Sequence, residues 1–356
     1  MTDIVVIGGG IAGVSAAARL APEARVTLLE AETSLGFHAT GRSAAAFLAN
    51  YGNPVVRALN HASADELHAR GVLSPRGMYL VGKAGEEERF AVNAAGFGLD
   101  EVSLSDAVAR VPILNTDTVT RVAGREDVFD LDTDLFLQGF VREVRDAGAE
   151  IVTGARIDSI TRDGGRWTLR AGDRDWQADV IVNAAGAWAD EVAALAGARR
   201  IGLQPYRRSM ARIPAPGGHD VSRWPFMDGV DDAWYAKPDA GALLVSPSEE
   251  DPVPPQDAWA DDMVLAEGLA RYEEAVTEPV TRMLANWAGL RTFAPDRTLV
   301  IGPDAHVPGF IWCAGQGGYG FQTAVAASRL VAAHVLGHAP DLDHATVTAL
   351  SPRRFA

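Results

Sequence analysis

The sequence predicts an α/β protein with a parallel sheet and a second region built on a mainly antiparallel sheet. Three observations carry this. Ile4-Val5-Val6-Ile7 is a continuous apolar run that leads straight into glycines, the pattern of a strand buried on both faces in a parallel sheet. The same pattern returns at Asp179-Val180-Ile181-Val182-Asn183 and Phe310-Ile311-Trp312-Cys313-Ala314, each followed by small residues. Between them, residues 202–287 are richer in Pro, Trp and Asp, with short alternating runs such as Trp234-Tyr235 and Leu243-Leu244-Val245, which suit antiparallel strands.

The first strand opens a G-x-G-x-x-G motif at Gly8, Gly10 and Gly13. Gly8 allows the turn, Gly10 lets backbone approach a pyrophosphate, and Gly13 lets the helix pack on the sheet. Val14 to Leu20 is good helix material, and its N-terminus offers free N–H groups to phosphates. Arg25 to Leu29 forms the next strand and ends in Glu30, 17 positions after Gly13. A carboxylate there accepts hydrogen bonds from ribose hydroxyls. The motif in this setting points to a bound dinucleotide rather than a bare glycine turn.

Bulk properties narrow the function. The chain has 356 residues, 47% of them hydrophobic, and a formal charge of -15. A core large enough for two domains is available, and the charge argues against nucleic acid or an anionic membrane surface as main partner. Lys83 and Lys237 are the only lysines, a composition bias. Cys313 is the only cysteine, so no disulfide frame or cysteine metal site is expected, and it reads as core. No signal peptide and no membrane-spanning run is visible. The expected setting is cytoplasmic, free or peripheral to the inner face of the membrane, as a monomer or homodimer.

In chain order, residues 35–46 (LGFHATGRSAAA) read as a loop feeding a helix, with Thr40 or Ser43 as its cap. Helical patterns follow over residues 55–71, 86–94 and 104–111, with a strand at 77–81 and Pro112 as a stop. Asp132-Thr133-Asp134 opens an amphipathic helix, Leu135 to Ala147, closed by Gly148. Strands are expected at 150–153 and 155–160, and a hairpin across Gly164-Gly165. Met263 to Val276 is helical in pattern. A second glycine-rich turn, Gly315 to Gly320, precedes a helix from about Gln322.

Several separated segments resemble one family. The N-terminal motif with Glu30, HATGRSAA at 38–45, VNAAGAW at 182–188, WAGLRTFAPD at 287–296 and GQGGYGFQT at 315–323 are similar to the D-amino acid oxidase superfamily of FAD-dependent amine oxidoreductases, which includes glycine oxidase and sarcosine oxidase. Within it, LSPR at 73–76, LQPYRRS at 203–209, AWYAKPDAG at 233–241 and the C-terminal SPRR are most similar to the bacterial D-arginine dehydrogenase branch. The resemblance implies a Rossmann-like FAD-binding domain of the glutathione reductase type (1–76, 139–202 and 288–356) and an α+β substrate domain (77–138 and 203–287).

It also implies site residues. Gly8, Gly10, Ile11, Ala12, Gly13, Glu30 and Ala31 would hold the ADP half of FAD, with Ile157 near the adenine. His38, Thr40, Arg42, Ser43, Ala44 and Ala45 would line the pyrophosphate and flavin ring. Ala185, Gly186 and Trp188 would follow the ribityl side. Gly317, Gly318, Tyr319, Gly320, Gln322 and Thr323 would close over the flavin. Where the sarcosine oxidase branch has a flavin-linking cysteine, this chain has Gly289-Leu290, which implies non-covalent FAD.

At the substrate end, Arg208 and Arg291 match two carboxylate-binding arginines, Tyr235 an active-site tyrosine and Tyr51 a tyrosine on a mobile loop. A guanidinium holds a carboxylate bidentately. The Gly289 carbonyl would accept from the amine, and Phe226, Gln316 and Gly318 would line the pocket. Three departures bear on specificity: Met78 stands where the arginine-specific enzyme has a glutamate, Ala46 and Leu48 replace a histidine and a threonine, and Asp228 replaces an apolar residue, which would restore some preference for cationic substrates if it points inward. The expectation is oxidative deamination of neutral, apolar or a broad range of D-amino acids, with poor D-arginine use. A hydride passes from Cα to flavin N5, and electrons go on to a quinone or another non-oxygen acceptor. An O2-using D-amino acid or glycine oxidase, a sarcosine-type secondary-amine oxidoreductase and a non-catalytic flavoprotein are the competing readings.

Overall fold

A six-stranded sheet and a nine-stranded sheet organise the chain in the computed structural model, which describes residues 1–356. The first sheet has the order β20-β21-β13-β1-β2-β9, where β1 is Asp3–Ile7, β2 Arg25–Leu29, β9 Glu150–Val152, β13 Val180–Asn183, β20 Val300–Pro303 and β21 Phe310–Ala314. All neighbours are parallel except the β20–β21 edge pair. The apolar runs place alternate side chains on opposite faces. Ile4, Val6, Leu28, Val182 and Cys313 join the core under α1 (Ile11–Leu20), α2 (Pro54–Ala69), α5 (Thr133–Asp146) and α8 (Gly320–Leu336). Val5, Ile7, Leu29, Ile181 and Trp312 join a second core that includes α6 (Ala189–Leu195) and a three-stranded sheet of β10 (Ser159–Asp163), β11 (Arg166–Ala171) and β12 (Arg174–Ala178). Cys313 is buried, 1% exposed, and burial pushes its thiol up to about 12.

The larger sheet has the order β18-β14-β17-β16-β15-β5-β7-β6, with β19 on the other edge of β14. These are β5 Met78–Lys83, β6 Asp100–Val102, β7 Val119–Arg125, β14 Gln204–Pro214, β15 Phe226–Gly229, β16 Tyr235–Asp239, β17 Ala242–Ser246, β18 Asp251–Pro252 and β19 Ala285–Phe293. All its pairs are antiparallel except β15–β5. One face carries Tyr79, Val81, Met227, Ala236 and Leu243 into a core with α4 (Leu104–Arg110) and α7 (Asp262–Glu273). The alternate residues Met78, Arg208, Met210, Phe226, Asp228 and Tyr235 face a cavity. A small sheet of β3 (Ala46–Phe47), β8 (Phe129–Leu131) and β4 (Leu73–Pro75) links the two regions, α3 (Glu87–Phe97) packs on β5, and α9 (His344–Leu350) ends the chain's helices.

Two local expectations are corrected. Residues 35–46 do not feed a helix: a single 3-10 turn, Ala39–Arg42, gives way to extended backbone at Ser43 and then to β3. The turn is held by Gly41 N–H donating to Gly36 O, and Trp287 Nε1 donates to the Arg42 carbonyl, so the carbonyls a helix would use are taken. Thr40 does cap a helix, but a remote one: its Oγ1 accepts from Ile11 N–H at the start of α1, 3.0 Å away. Residues 155–158 are not strand. Gly154 and Ala155 donate to the carbonyls of Glu32 and Glu30, which bends the chain across the end of β2 before β10 begins. The helix from Asp132 is as expected, with the Asp132 carboxylate accepting from Leu135 N–H. No helix is long and apolar enough to cross a membrane.

Candidate active site

One continuous cavity of about 390 Å³ runs from the carboxyl end of the parallel sheet to the inner face of the large antiparallel sheet. Its first end is built by the β1–α1 turn. Gly8 has φ +110, and a Cβ there would stand 2.3 Å from Ala184 O; a Cβ on Gly13 would stand 1.9 Å from Gly8 O. The glycines therefore let α1 press its N-terminus against β1 and β13. Gly10 precedes α1 with no side chain of its own to cap it and no acidic residue in the first turn; Thr40 takes the Ile11 N–H, and the other first-turn N–H groups are left for an anion. Glu30 faces the same space while its two oxygens accept from Gly9 N–H at 2.5 Å and Glu32 N–H at 2.8 Å. Those bonds fix the carboxylate and leave lone pairs for a further donor. Ile11, Ala12, Ala31, Ile157, Ala185, Gly186 and Trp188 line this part too. His38 lies 3.0 Å from Glu32 and 4.7 Å, centroid to centroid, from Trp188.

Ser43, Ala44, Ala45 and Ala46 continue the wall. Lys237 pins this extended segment from below: its Nζ donates to the carbonyls of Ala44 and Ala45, each at 3.2 Å, and pairs with Asp130 at 2.9 Å. The Arg42 guanidinium is committed to protein, donating to Ala258 O, Ala288 O and Asp257. It clamps the 3-10 turn to β19.

The second end gathers cations. Arg208 on β14 is directly opposite Gly289 on β19, and Arg291 follows two residues later, so both arginines project from the same face of the sheet. A Cβ on Gly289 would meet Arg42 Cβ at 3.5 Å and Ala39 Cα at 3.8 Å, so the glycine makes room for the Ala39–Arg42 turn. Arg208 Nε donates to Glu249 O at 2.9 Å, and Nη2 reaches Glu250 at 3.4 Å. The Arg291 guanidinium forms no hydrogen bond within the chain and lies against Gly318, where a Cβ would be 3.1 Å from its Cζ. Burial and the neighbouring Arg291 charge push Arg208 below its ordinary value. Two guanidinium groups facing one cavity make a receptor for a carboxylate.

Tyr51, Tyr235, Gln316, Gly317, Gly318, Gly320 and Gln322 line the same end. The Tyr51 ring is 5.2 Å from Tyr319, and burial raises its phenol. Tyr235 stacks on Phe226 at 5.4 Å. α8 begins at Gly320 without a side-chain cap, a second N-terminus aimed at the cavity. Beyond Tyr235 the wall is Ala46, Leu48, Met78, Phe226 and Asp228.

Three expected residues stand behind the wall. Gly13 serves the α1 contact. Tyr319 packs between Tyr51 and Phe293, with its phenol raised to about 12 by burial. Thr323 donates its hydroxyl to Tyr319 O. Sequence reasoning missed Asp232, Met210 and Thr292, which line the cavity. Asp232 sits in a turn with φ +54, and the Asp231-Asp232 pair ahead of Trp234-Tyr235 was the signal for that turn. Met210 was readable once Arg208 is placed, since it lies two residues on in one strand.

The chain matches the family model of FAD dependent oxidoreductases (DAO) over residues 3–334. It belongs to that family, and FAD is its cofactor. The hydrogen cyanide synthase subunit HcnC of Pseudomonas aeruginosa is 26% identical over 203 residues, 54% of this chain and 44% of that protein, so the match spans under half of that relative. The structures of L-proline dehydrogenase from P. horikoshii (TM-score 0.84, 21% identity, 99% and 97% of the two chains) and glycine oxidase from Geobacillus kaustophilus (0.81, 20%, 99% and 98%) share the fold over the full chain. The cradle fits the cofactor: close-approach glycines, two helix N-termini that keep free N–H groups and the oriented Glu30 carboxylate are what a dinucleotide needs.

Proposed function

We propose that the protein deaminates D-amino acids oxidatively, giving a 2-oxo acid and ammonia, with a neutral, apolar or broad side-chain range. The observation that carries this is the convergence of Arg208 and Arg291 on one cavity wall with no protein partner for Arg291. A zwitterionic substrate supplies the carboxylate that Arg291 lacks and that Arg208, already held by Glu249 O and Glu250, can share. The motifs shared with the D-arginine dehydrogenase branch support the D configuration, and Met78 in place of its glutamate supports poor use of D-arginine.

FAD, bound along the glycine cradle, supplies the two-electron acceptor for the Cα–H bond. The chain's own residues bind and orient. Arg291 and Arg208 hold the carboxylate, the Gly289 carbonyl accepts from the amine, and Tyr235 on Phe226 forms a rigid aromatic wall beside the reacting carbon. Tyr51 covers the site and, with Tyr319, limits water entry. The amine must be neutral before the Cα–H bond breaks, and the resulting imine is hydrolysed to the 2-oxo acid and ammonia. Holding one geometry is the main catalytic contribution of such a site. Cys313 is buried in β21 and does not line the cavity, which supports a cofactor held without a cysteine link. Electrons pass to a quinone or another non-oxygen acceptor.

Chiral analysis of a racemic amino acid incubated with enzyme and an artificial electron acceptor tests this. Consumption of the D form with equal 2-oxo acid and ammonia is expected; consumption of the L form alone would overturn it. The names of the structurally similar glycine oxidase and L-proline dehydrogenase support a second reading, oxidation of small or secondary amines. Turnover of sarcosine or proline without any primary D-amino acid would favour it.

A further inference from the structure

One wall of the cavity carries a carboxyl group that forms no hydrogen bond within the chain, although the charges of Arg208 and Arg291 reach it. Asp228 is 4% exposed. Its carboxyl forms no hydrogen bond within the protein, and Oδ1 is sealed from solvent without a partner. It is not turned into a core: Asp228 alternates with the core residue Met227, shares the cavity face with Phe226, and lines the cavity. Leaving such a group unpaired is unfavourable, and a ligand donor would remove that penalty. Asp232, on the turn after β15, lines the cavity beside it.

The strand order sets the distance from the anchors. Arg208 is on β14 and Asp228 on β15, with β17 and β16 between them. Three strand spacings put their backbones roughly 14 Å apart. Side chains leaning in from both ends leave room for a substrate side chain of medium length, lying over Tyr235 on the intervening β16. Met78, one strand further on β5 beside Phe226, gives that path an apolar floor.

We propose that Asp228 reads the tip of the substrate side chain, narrowing the broad range to favour amino acids whose side chain ends in an N–H donor, an amide or an amine, over apolar isosteres. This rests on the reading of the site as an amino acid site and names its substrate class. Buried and beside Asp232, the carboxyl is held above the ordinary carboxylate range, so in the free enzyme it keeps its proton more readily and serves neutral amides as well as amines.

The test uses flavin-loaded enzyme and isosteric pairs: D-glutamine against D-methionine, and D-ornithine against D-norleucine. The donor-tipped member of each pair should win by about tenfold or more in kcat/KM. Asp228→Val should bring both ratios near one. Asp228→Asn, which keeps an acceptor oxygen in the same volume, should retain the glutamine preference and lose the ornithine preference. Equal use of both members by the wild type, or a preference that survives Asp228→Val, would overturn the proposal. A second readout needs no turnover: 5-aminopentanoate should perturb the flavin spectrum at lower concentration than hexanoate, and Asp228→Val should abolish the difference. Tighter 5-aminopentanoate binding with no amino acid oxidised would keep the subsite and sink the reaction. Equal binding of the two acids alongside good D-amino acid turnover would do the reverse.

Discussion

The guanidinium of Arg291 rests on the backbone of Gly318, close enough that a Cβ there would stand 3.1 Å from Cζ and 3.2 Å from Nε. On the proposed reading, the glycine-rich turn before α8 therefore serves the carboxylate receptor as well as the flavin cradle. Gly318→Ala should push the guanidinium by a few tenths of an ångström and raise KM for amino acids several-fold, since sub-ångström misplacement degrades a positioned site. Steady-state kinetics on flavin-loaded protein checks this. Unchanged KM would mean that Arg291 is not held against this turn.

Arg291 itself should matter more. Arg291→Met removes a charge-assisted, two-pronged contact worth about 1.5–3 kcal/mol per hydrogen bond. The expected loss in kcat/KM is about 100-fold or more at that value. Arg291→Lys keeps the charge and loses the fork, so it should recover only part of the activity. Full recovery by lysine would argue against bidentate binding.

On the proposed reading, Met78 is the residue that limits D-arginine. It lines the cavity, is 2% exposed and sits in β5 opposite Phe226. Met78→Glu should raise the D-arginine to D-leucine ratio of kcat/KM about tenfold or more. It should also lower thermal stability, because an unpaired carboxylate is buried in the free enzyme. A stable variant with an unchanged ratio would show that substrate side chains do not reach β5.

Asp228 makes stability depend on pH in a stated direction. Unfolded, it titrates near 3.8, whereas in the folded protein burial, then the Asp232 charge, hold its carboxyl well above that value. The unfolded chain therefore gives up a proton that the folded protein keeps. The stability associated with Asp228 is full below 3.8 and declines as pH rises through the folded value. Asp228→Asn should gain on the wild type in melting temperature as pH is raised from about 4 to 8. A difference that stays flat over that range would place Asp228 in a wetter setting.

Much of this was legible in the sequence, for identifiable reasons. The β1–α1–β2 unit was readable because glycine spacing, a continuous apolar run and Glu30 are all local signals. The β14–β19 pair was not: Arg207, Arg208 and Arg212 break the apolar alternation of Ser209, Ala211 and Ile213, and nine register pairs join segments some eighty residues apart. Residues 35–46 read as a loop feeding a helix because small residues permit one, but remote partners decide the outcome, namely Trp287 on the Arg42 carbonyl and Lys237 on Ala44 and Ala45. Tyr319 and Thr323 sit in a glycine-rich turn that does meet the cavity. Only the helix phase of α8 shows that those two side chains turn away.

The most direct test of the central claim is anaerobic mixing of the flavin-loaded protein with single D- and L-amino acids, followed by flavin absorbance. Rapid bleaching by D-amino acids such as D-methionine or D-glutamine, slow or absent with their L forms, and slow recovery when air is admitted are the predicted results. No bleaching by any primary D-amino acid would contradict the assignment.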